Sequence, residues 1–429
     1  MTNPPTTKPS SHGVNLLPSN GLSATDIFDS LELMRSRDVR WRDGRAFSLA
    51  YNAGPDALAV AEEAYRRFSG DNALNTDAFP SLKRIQAEVV AMAGVWLGAT
   101  PQSAGFMTSG GTESILMAVK AARDRLLTER QIQQPNMVLP TSAHAAFAKA
   151  GAYFGVELRR VAVRPDWRAD VDAMREVTDK NTVLIVGSAP QYPQGVVDDI
   201  TGIAKIAIDH DINCHVDACM GGVTLAYLAR LGEKIAPWNL QVPGVSSISV
   251  DLHKFGYTSK GASVIMYASK HLRSFQGFVT DDWLGGVYGS SGMLGTKSGG
   301  SMASAWAVMH FLGDDGYLRL TRQAREATLQ LATNIRNTPE LVLRAEPDST
   351  LLCFGAKERA ALNVFSVADE LSKRGWYVDR QTPPDSLHCT VNAIHHDKID
   401  LFTRDLHECV SIAITGQSSG SVGTYGTVE

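Results

Sequence analysis

The sequence predicts an α/β protein: a large domain built on a mostly parallel sheet with helices on both faces, then a small α+β domain. Three observations carry this. From FMTSGGTESILMAVKAARDRLL to ASVIMY, short apolar runs alternate with stretches at helical spacing, the pattern of strands joined by crossover helices. Before that region the chain reads as helices with little strand. After it, STLLCFGA, NVFSVADELSKRG, WYVDR and SLHCTVNAI mix strands with a helix.

In chain order, residues 1–22 open with MTNPPTTKPSSHG, which is rich in Pro, Ser and Thr with no apolar run behind it. They are expected to be a disordered lead and not a signal peptide or membrane anchor. Residues 23–98 form a helical segment: a capping Ser23 precedes apolar residues at helical spacing, and Pro80 opens a long amphipathic helix. RWRDGRAFSLAYNAGPD between them looks extended. Residues 99–312 hold the alternating strands and helices. Beyond Lys254 comes a Gly/Ser-rich stretch, DDWLGGVYGSSGMLGTKSGGSMAS, and then the helix AWAVMHFLGDD. A second helix, DGYLRLTRQAREATLQLATNIRN, opens the small domain, residues 313–429. That domain closes on DKIDLFTRDLHECVSIAI and a tail, GQSSGSVGTYGTVE, that reads as disordered by composition.

Composition narrows the function. With 44% hydrophobic and 20% charged residues and a formal charge of −4, the chain lacks the basic field that nucleic acid would require. No apolar run reaches the roughly 18 to 20 residues that cross a bilayer. Five cysteines without CxxC spacing argue for a reducing compartment, the cytoplasm, and against a structural zinc or other metal site.

Four features fall at the carboxyl edge of the predicted sheet, where ligands of parallel sheets lie. Ser109, Gly110, Gly111 and Thr112, between a strand and a helix, form an anion site: the glycines admit the backbone closely, the hydroxyls donate, and the helix N-terminus attracts a phosphate. A capped glycine turn would read the same way. His144 sits in a strand-to-helix loop, where its ring could stack on a flat ligand or simply cap the helix. Asp217 ends the strand NCHV, facing either a structural arginine or a protonated ring nitrogen, and His215 points to the same face. Lys254 lies between the strands SISV and ASVIMY, as a salt-bridged turn lysine or as a buried amine of lowered pKa that condenses with a carbonyl. One ligand needs a phosphate site, a stacking ring, an acid for a ring nitrogen and an amine for an aldehyde together: pyridoxal 5'-phosphate, PLP.

TSGGTESILMAVKAARD, HVDACMGG, VDLHKFGYTSKGASVIMY and DDWLGGVYGSSGMLGTKSGG closely resemble the sphingosine-1-phosphate lyase branch of the group II PLP-dependent decarboxylases. The resemblance runs from about Tyr51 to the end. It implies fold-type I, the aspartate aminotransferase-like fold, with a seven-stranded sheet and a homodimer to which residues 23–98 contribute. It also implies that Lys254 forms the Schiff base, Asp217 pairs with the pyridine nitrogen and His144 stacks on the ring. Gly110, Gly111, Thr112 and His253 hold the phosphate, with Ser188 and Gln191 in the strand-end segment of the same pocket. Tyr288 and Lys260 lie near the reacting carbons, Tyr51 approaches from the dimer partner, and Asn75, Ser290 and Lys297 belong to the substrate side.

The implied reaction is retro-aldol cleavage of a 2-amino-3-hydroxy compound to an aldehyde and an amine; amino-acid decarboxylation is the alternative within the superfamily. Either a tyrosine or a lysine of lowered pKa could be the base. The chain departs from the branch at Asn75 and Gln194, which replace histidines, and at Lys297, which replaces an arginine that grips phosphate bidentately. Tyr425 corresponds to a segment that packs near the site mouth in the family.

Overall fold

The structure is a computed structural model that describes residues 17–18, 20–416, 420 and 423. Most of the expected lead, and Tyr425 with most of the tail, lie outside the described residues. The chain forms two compact units, residues 1–39 and 40–429. In the first, Ser23 caps α1 (Ala24–Met34) by accepting the Asp26 N–H, and no residue of α1 is buried.

The second unit begins with a short 3-10 turn and an irregular stretch that reaches α2 (Pro55–Phe68) and α3 (Pro80–Leu97), each with proline in its first turn. The large sheet then forms from β1 (Ala104–Thr108), β2 (Asn136–Pro140), β3 (Glu157–Val161), β4 (Thr182–Ser188), β5 (Asn213–Asp217), β6 (Ser247–Asp251) and β7 (Ser263–Tyr267). Its order is β1-β7-β6-β5-β4-β2-β3. Only β7 runs antiparallel to its neighbours, so the expected mostly parallel seven-stranded sheet is what forms. The connections carry α4 (Gly111–Arg130), α5 (Ala146–Phe154), α6 (Val171–Val177), α7 (Ile200–His210) and α8 (Thr224–Arg230). β4, β5 and β6 are buried along their whole length, because helices cover both faces and leave no solvated side.

After α9 (Lys270–Ser274), β8 (Phe278–Thr280) and β9 (Tyr288–Ser290) pair as an antiparallel hairpin, the second strand lying in the Gly/Ser-rich stretch. The two helices expected next form as expected and meet at a kink, together α10 (Gly299–Arg336); they part at Gly313, whose φ of 57° only glycine adopts without strain. A second sheet, β10 (Leu341–Leu343), β11 (Leu351–Ala356), β13 (Ser386–Thr390) and β12 (Asp379–Gln381) in that order, is antiparallel throughout and packs with α11 (Val364–Lys373) and α12 (Ile399–Ile414).

Among the described residues three hydrophobic clusters result: one around the large sheet, one around the small sheet, and a smaller one where Phe106, Met117 and Ile265 meet. Phe47, far away in sequence, belongs to the second: its ring stacks on His395 at 4.1 Å and 19° and contacts Phe402 at 4.6 Å. A ring of this size taken fully out of water stabilises by about 1.5–3 kcal/mol. Backbone bonds add to the anchor, since Phe47 donates to Tyr377 O at 2.9 Å and Phe47 O accepts from Thr390 N at 2.6 Å. The stretch expected to be extended is therefore a strap fixed to the small sheet. It carries Tyr51 to a defined place.

Candidate active site

The sheet's strand ends converge on one cavity of about 460 Å³. Five chain segments line it, four of which carry the residues expected of the site. β1 ends at Thr108, and Ser109–Thr112 turn into the 20-residue α4, whose first N–H groups have no intrahelical partner and face the cavity wall. Gly111 has no room for a side chain: a Cβ there would lie 2.8 Å from Asp251 Oδ2 and 2.9 Å from Cys219 Sγ. His144 follows β2, and its Nδ1 accepts the Ala146 N–H at 3.1 Å, which leaves Nε2 to carry the proton of the neutral ring. Burial favours that neutral form by lowering the pKa, against the opposing pull of Asp217. Asp217, last in β5, takes the Cys219 N–H on Oδ1 at 3.0 Å.

Lys254 is the salt-bridged lysine of the first reading, and it also faces the cavity. It lines the cavity, and its Nζ lies 2.9 Å from Asp251 Oδ2. Burial alone would push its pKa down, but the buried Asp251 carboxylate outweighs this and holds it well above the ordinary lysine value. The expectation of a lowered pKa is thus corrected, and the cause is a residue inside the quoted motif that the motif alone did not assign. Asp251 in turn stays ionised despite its burial because Lys254 and His253 face it. Removing either member of such a pair strands the other charge, at a cost of about 3–5 kcal/mol. The lowered amine is instead Lys260, at the mouth. Its Nζ donates to His253 O at 3.3 Å, and burial of the amine with repulsion from Lys254 brings its pKa to about 8.

The remaining expected residues divide. His253 lines the cavity beside Gly110 and accepts the Ala262 N–H on Nδ1. Tyr51 comes from the same chain, not from a partner: its hydroxyl points to Met220 Sδ at 3.7 Å, and the Lys260 Nζ lies 5.0 Å from its ring centre. The strap anchored by Phe47 brings it there. Ser188 and Gln191 stand behind the cavity wall. The Ser188 N–H is held by buried Asp198 at 2.8 Å, and Gln191 pairs with Gln194 at 2.9 Å. His215 is satisfied by Ser247 and Ser249 on β6, at 2.9 and 3.2 Å, and burial lowers its pKa to about 4.

Four residues are not brought to this cavity within one chain. Ser290 and Lys297 line a separate recess of about 170 Å³, where the Lys297 Nζ lies 4.2 Å from the Phe106 ring centre. Tyr288 lies on the β8–β9 hairpin against Trp283. Asn75 is spent on its own turn, accepting from Asp77 N and Ala78 N. Sequence reasoning also missed Glu113, whose carboxylate takes the Ser109 N–H at 2.6 Å and the Met293 N–H at 2.8 Å and so ties the glycine loop to the segment after the hairpin. Glutamate in a helix's first turn reads as ordinary capping, so only the fold reveals the second bond.

The donor set fits PLP. Gly110–Thr112 offer backbone N–H groups and a hydroxyl to a phosphate, the His144 ring and Asp217 suit a flat ring with a basic nitrogen, and Lys254 suits an aldehyde. No cluster of metal-ligating side chains exists among the described residues. Gly111→Ala is expected to leave the fold intact by circular dichroism and to weaken PLP binding about tenfold or more, because the new methyl group overpacks the loop against Asp251. Titration of the bound cofactor's visible absorbance measures this; an unchanged affinity would show that the loop does not receive the phosphate.

The profile of the pyridoxal-dependent decarboxylase conserved domain matches residues 16–357. Sphingosine-1-phosphate lyase 1 of Rattus norvegicus is 36% identical over 413 residues, which cover 96% of this chain and 72% of that protein. The structure of a sphingosine-1-phosphate lyase from Burkholderia pseudomallei superposes with a TM-score of 0.89 at 36% identity over 94% of both chains. A glutamate decarboxylase from Lactobacillus brevis shares the fold with a TM-score of 0.83, at 18% identity over 96% of this chain and 97% of its own. The chain therefore belongs to the PLP-dependent decarboxylase family and, within it, to the sphingosine-1-phosphate lyases.

Proposed function

We propose that the protein cleaves a phosphorylated 2-amino-3-hydroxy long-chain compound of the sphingosine 1-phosphate type between C2 and C3, giving an aldehyde and phosphoethanolamine. The observation that carries this reading is the meeting of Lys254, Asp217, His144 and the Gly110–Thr112 loop in one cavity with a second, lower-pKa amine, Lys260, at its mouth. PLP, when bound, supplies the electron sink for the pair released at C2. Lys254 holds the cofactor's aldehyde, Asp217 keeps the ring nitrogen protonated, and His144 covers the ring. Asp251, buried beside Gly111, holds the Lys254 amine in place. Lys260 is the base we favour for the C3 hydroxyl, since an amine with a pKa of about 8 can accept and return a proton near neutral pH.

A second copy of the chain completes the proposal. The β8–β9 hairpin exposes Trp283, Leu284 and Val287, an apolar surface of the kind that interfaces cover, and it carries Tyr288 and Ser290 away from the chain's own cavity. A homodimer would let these residues, with Lys297, serve the partner's substrate. The five cysteines are free and buried, which suits a reducing compartment such as the cytoplasm. No helix among the described residues is long and apolar enough to cross a membrane.

Three outcomes are expected. PLP-loaded protein incubated with sphingosine 1-phosphate and with a panel of amino acids gives a long-chain aldehyde and phosphoethanolamine by mass; carbon dioxide from an amino acid, with the lipid untouched, would make the protein a decarboxylase instead. If Lys260 is the base it must be neutral to act, so kcat/KM rises with pH up to about 8 and then levels. Lys260→Arg, whose guanidinium stays protonated, loses that limb along with about 10²–10⁴ of the rate, and a limb that survives in the variant excludes Lys260. Finally, light scattering coupled to size exclusion is expected to give twice the chain mass; a fully active monomer rules out the shared site.

A further inference from the structure

One cavity wall depends on residues that never touch the cavity. Tyr192, in the loop after β4, lines it together with Pro190 and Met220. The Tyr192 hydroxyl donates to Asp379 Oδ2 on β12. Ser48 Oγ donates to that same oxygen at 2.5 Å and lies 3.2 Å from the Tyr192 hydroxyl. The face of the Tyr192 ring rests on His388 of β13, 4.1 Å between ring centres. His388 is itself fixed by Thr390 Oγ1 at 2.9 Å, and burial lowers its pKa to about 4, so it packs as a neutral ring. Asp379, Ser48 and His388 are all buried.

Three distant parts of the chain thus meet at one carboxylate oxygen. Ser48 stands three residues before Tyr51 on the strap, Tyr192 belongs to the large domain, and Asp379 belongs to the small sheet. We propose that Asp379 is a positioning residue for the substrate: it fixes the Tyr192 ring as a cavity wall and, through Ser48, sets the strap that presents Tyr51 beside Lys260. Asp379 has no place among the residues that hold the cofactor, so its effect falls on the amine substrate and not on PLP. The physical reason is the shared acceptor. An ionised carboxylate oxygen accepts both hydroxyl protons at once, and bonds to a charged acceptor are the strong ones. An asparagine whose carbonyl oxygen took that place could still accept both hydroxyls, but as a neutral acceptor it would hold each of them more weakly.

This proposal rests on reading the cavity as the site of an amine substrate on PLP, and its test separates the two. Native protein, Tyr192→Phe, Asp379→Asn and the double variant are loaded with PLP. Cofactor affinity is read by visible absorbance, and amine affinity without turnover by the spectral response to phosphoethanolamine; KM and kcat are then measured with the cleaved substrate. Tyr192→Phe keeps the ring and loses only its hydroxyl, so it carries the test even if Asp379→Asn fails to fold. The expected result is PLP affinity within about twofold of native, amine affinity weakened about tenfold in each single variant, and KM raised more than kcat falls. The double variant should be no worse than Asp379→Asn alone, since the two act through one bond. Unchanged amine affinity in Tyr192→Phe overturns the proposal, as does an equal loss of PLP affinity in the variants or a fully additive double variant. If native holo-protein responds to no amine at all, the reading of the cavity falls and this proposal with it.

Discussion

The ion pair between Asp251 and Lys254 is the constraint on which the site depends. A carboxylate at the end of a fully buried strand is costly unless a cation faces it, and Lys254, three residues on, supplies that cation at 2.9 Å. The same carboxylate crowds Gly111 and draws His253. A single charge therefore sets the distance between the loop suited to a phosphate and the amine suited to an aldehyde, the two ends of one cofactor. The pair also explains why Lys254 is charged in the buried site. In the proposed role it is held in place first and must give up a proton to act as a nucleophile.

The loop's second tether is Glu113. By accepting one N–H from Ser109 and one from Met293 it joins the cofactor end of the cavity to the segment that leaves the β8–β9 hairpin and leads to Lys297. The hairpin's exposed apolar tip and the buried carboxylate at its return give one short segment two surfaces, one solvated in the single chain and one locked to the site. In the proposed dimer this would couple the partner's substrate groups to the chain's own phosphate loop.

The small sheet is more than a lid of separate structure. It anchors the strap through Phe47, places Tyr51, and braces Tyr192 through Asp379 and His388. These links are distant in sequence, from 187 residues in the Tyr192–Asp379 bond to 331 in the Ser48–Asp379 bond. Loop-closure entropy opposes such contacts only weakly as separation grows, so a few buried bonds and one aromatic cluster suffice to hold them.

By itself the sequence determined the mostly parallel sheet, the glycine turn at Gly110–Thr112 that opens a helix and the strand-end positions of His144, Asp217 and Lys254, because each depends on local periodicity, glycine geometry or position next to a strand. It also carried the family, through motifs whose residues are contiguous. Only the tertiary structure decided what those residues face. Asp251 keeps Lys254 charged where the sequence suggested a lowered pKa, and the lowered amine is Lys260. Tyr51 arrives from its own chain because Phe47 pins the strap, while Asn75, Tyr288, Ser290 and Lys297 lie away from that chain's cavity. The difference is physical: a propensity or a cap is settled within a few residues, whereas a pKa or a cavity wall is set by whichever charges and rings the fold brings within a few ångströms.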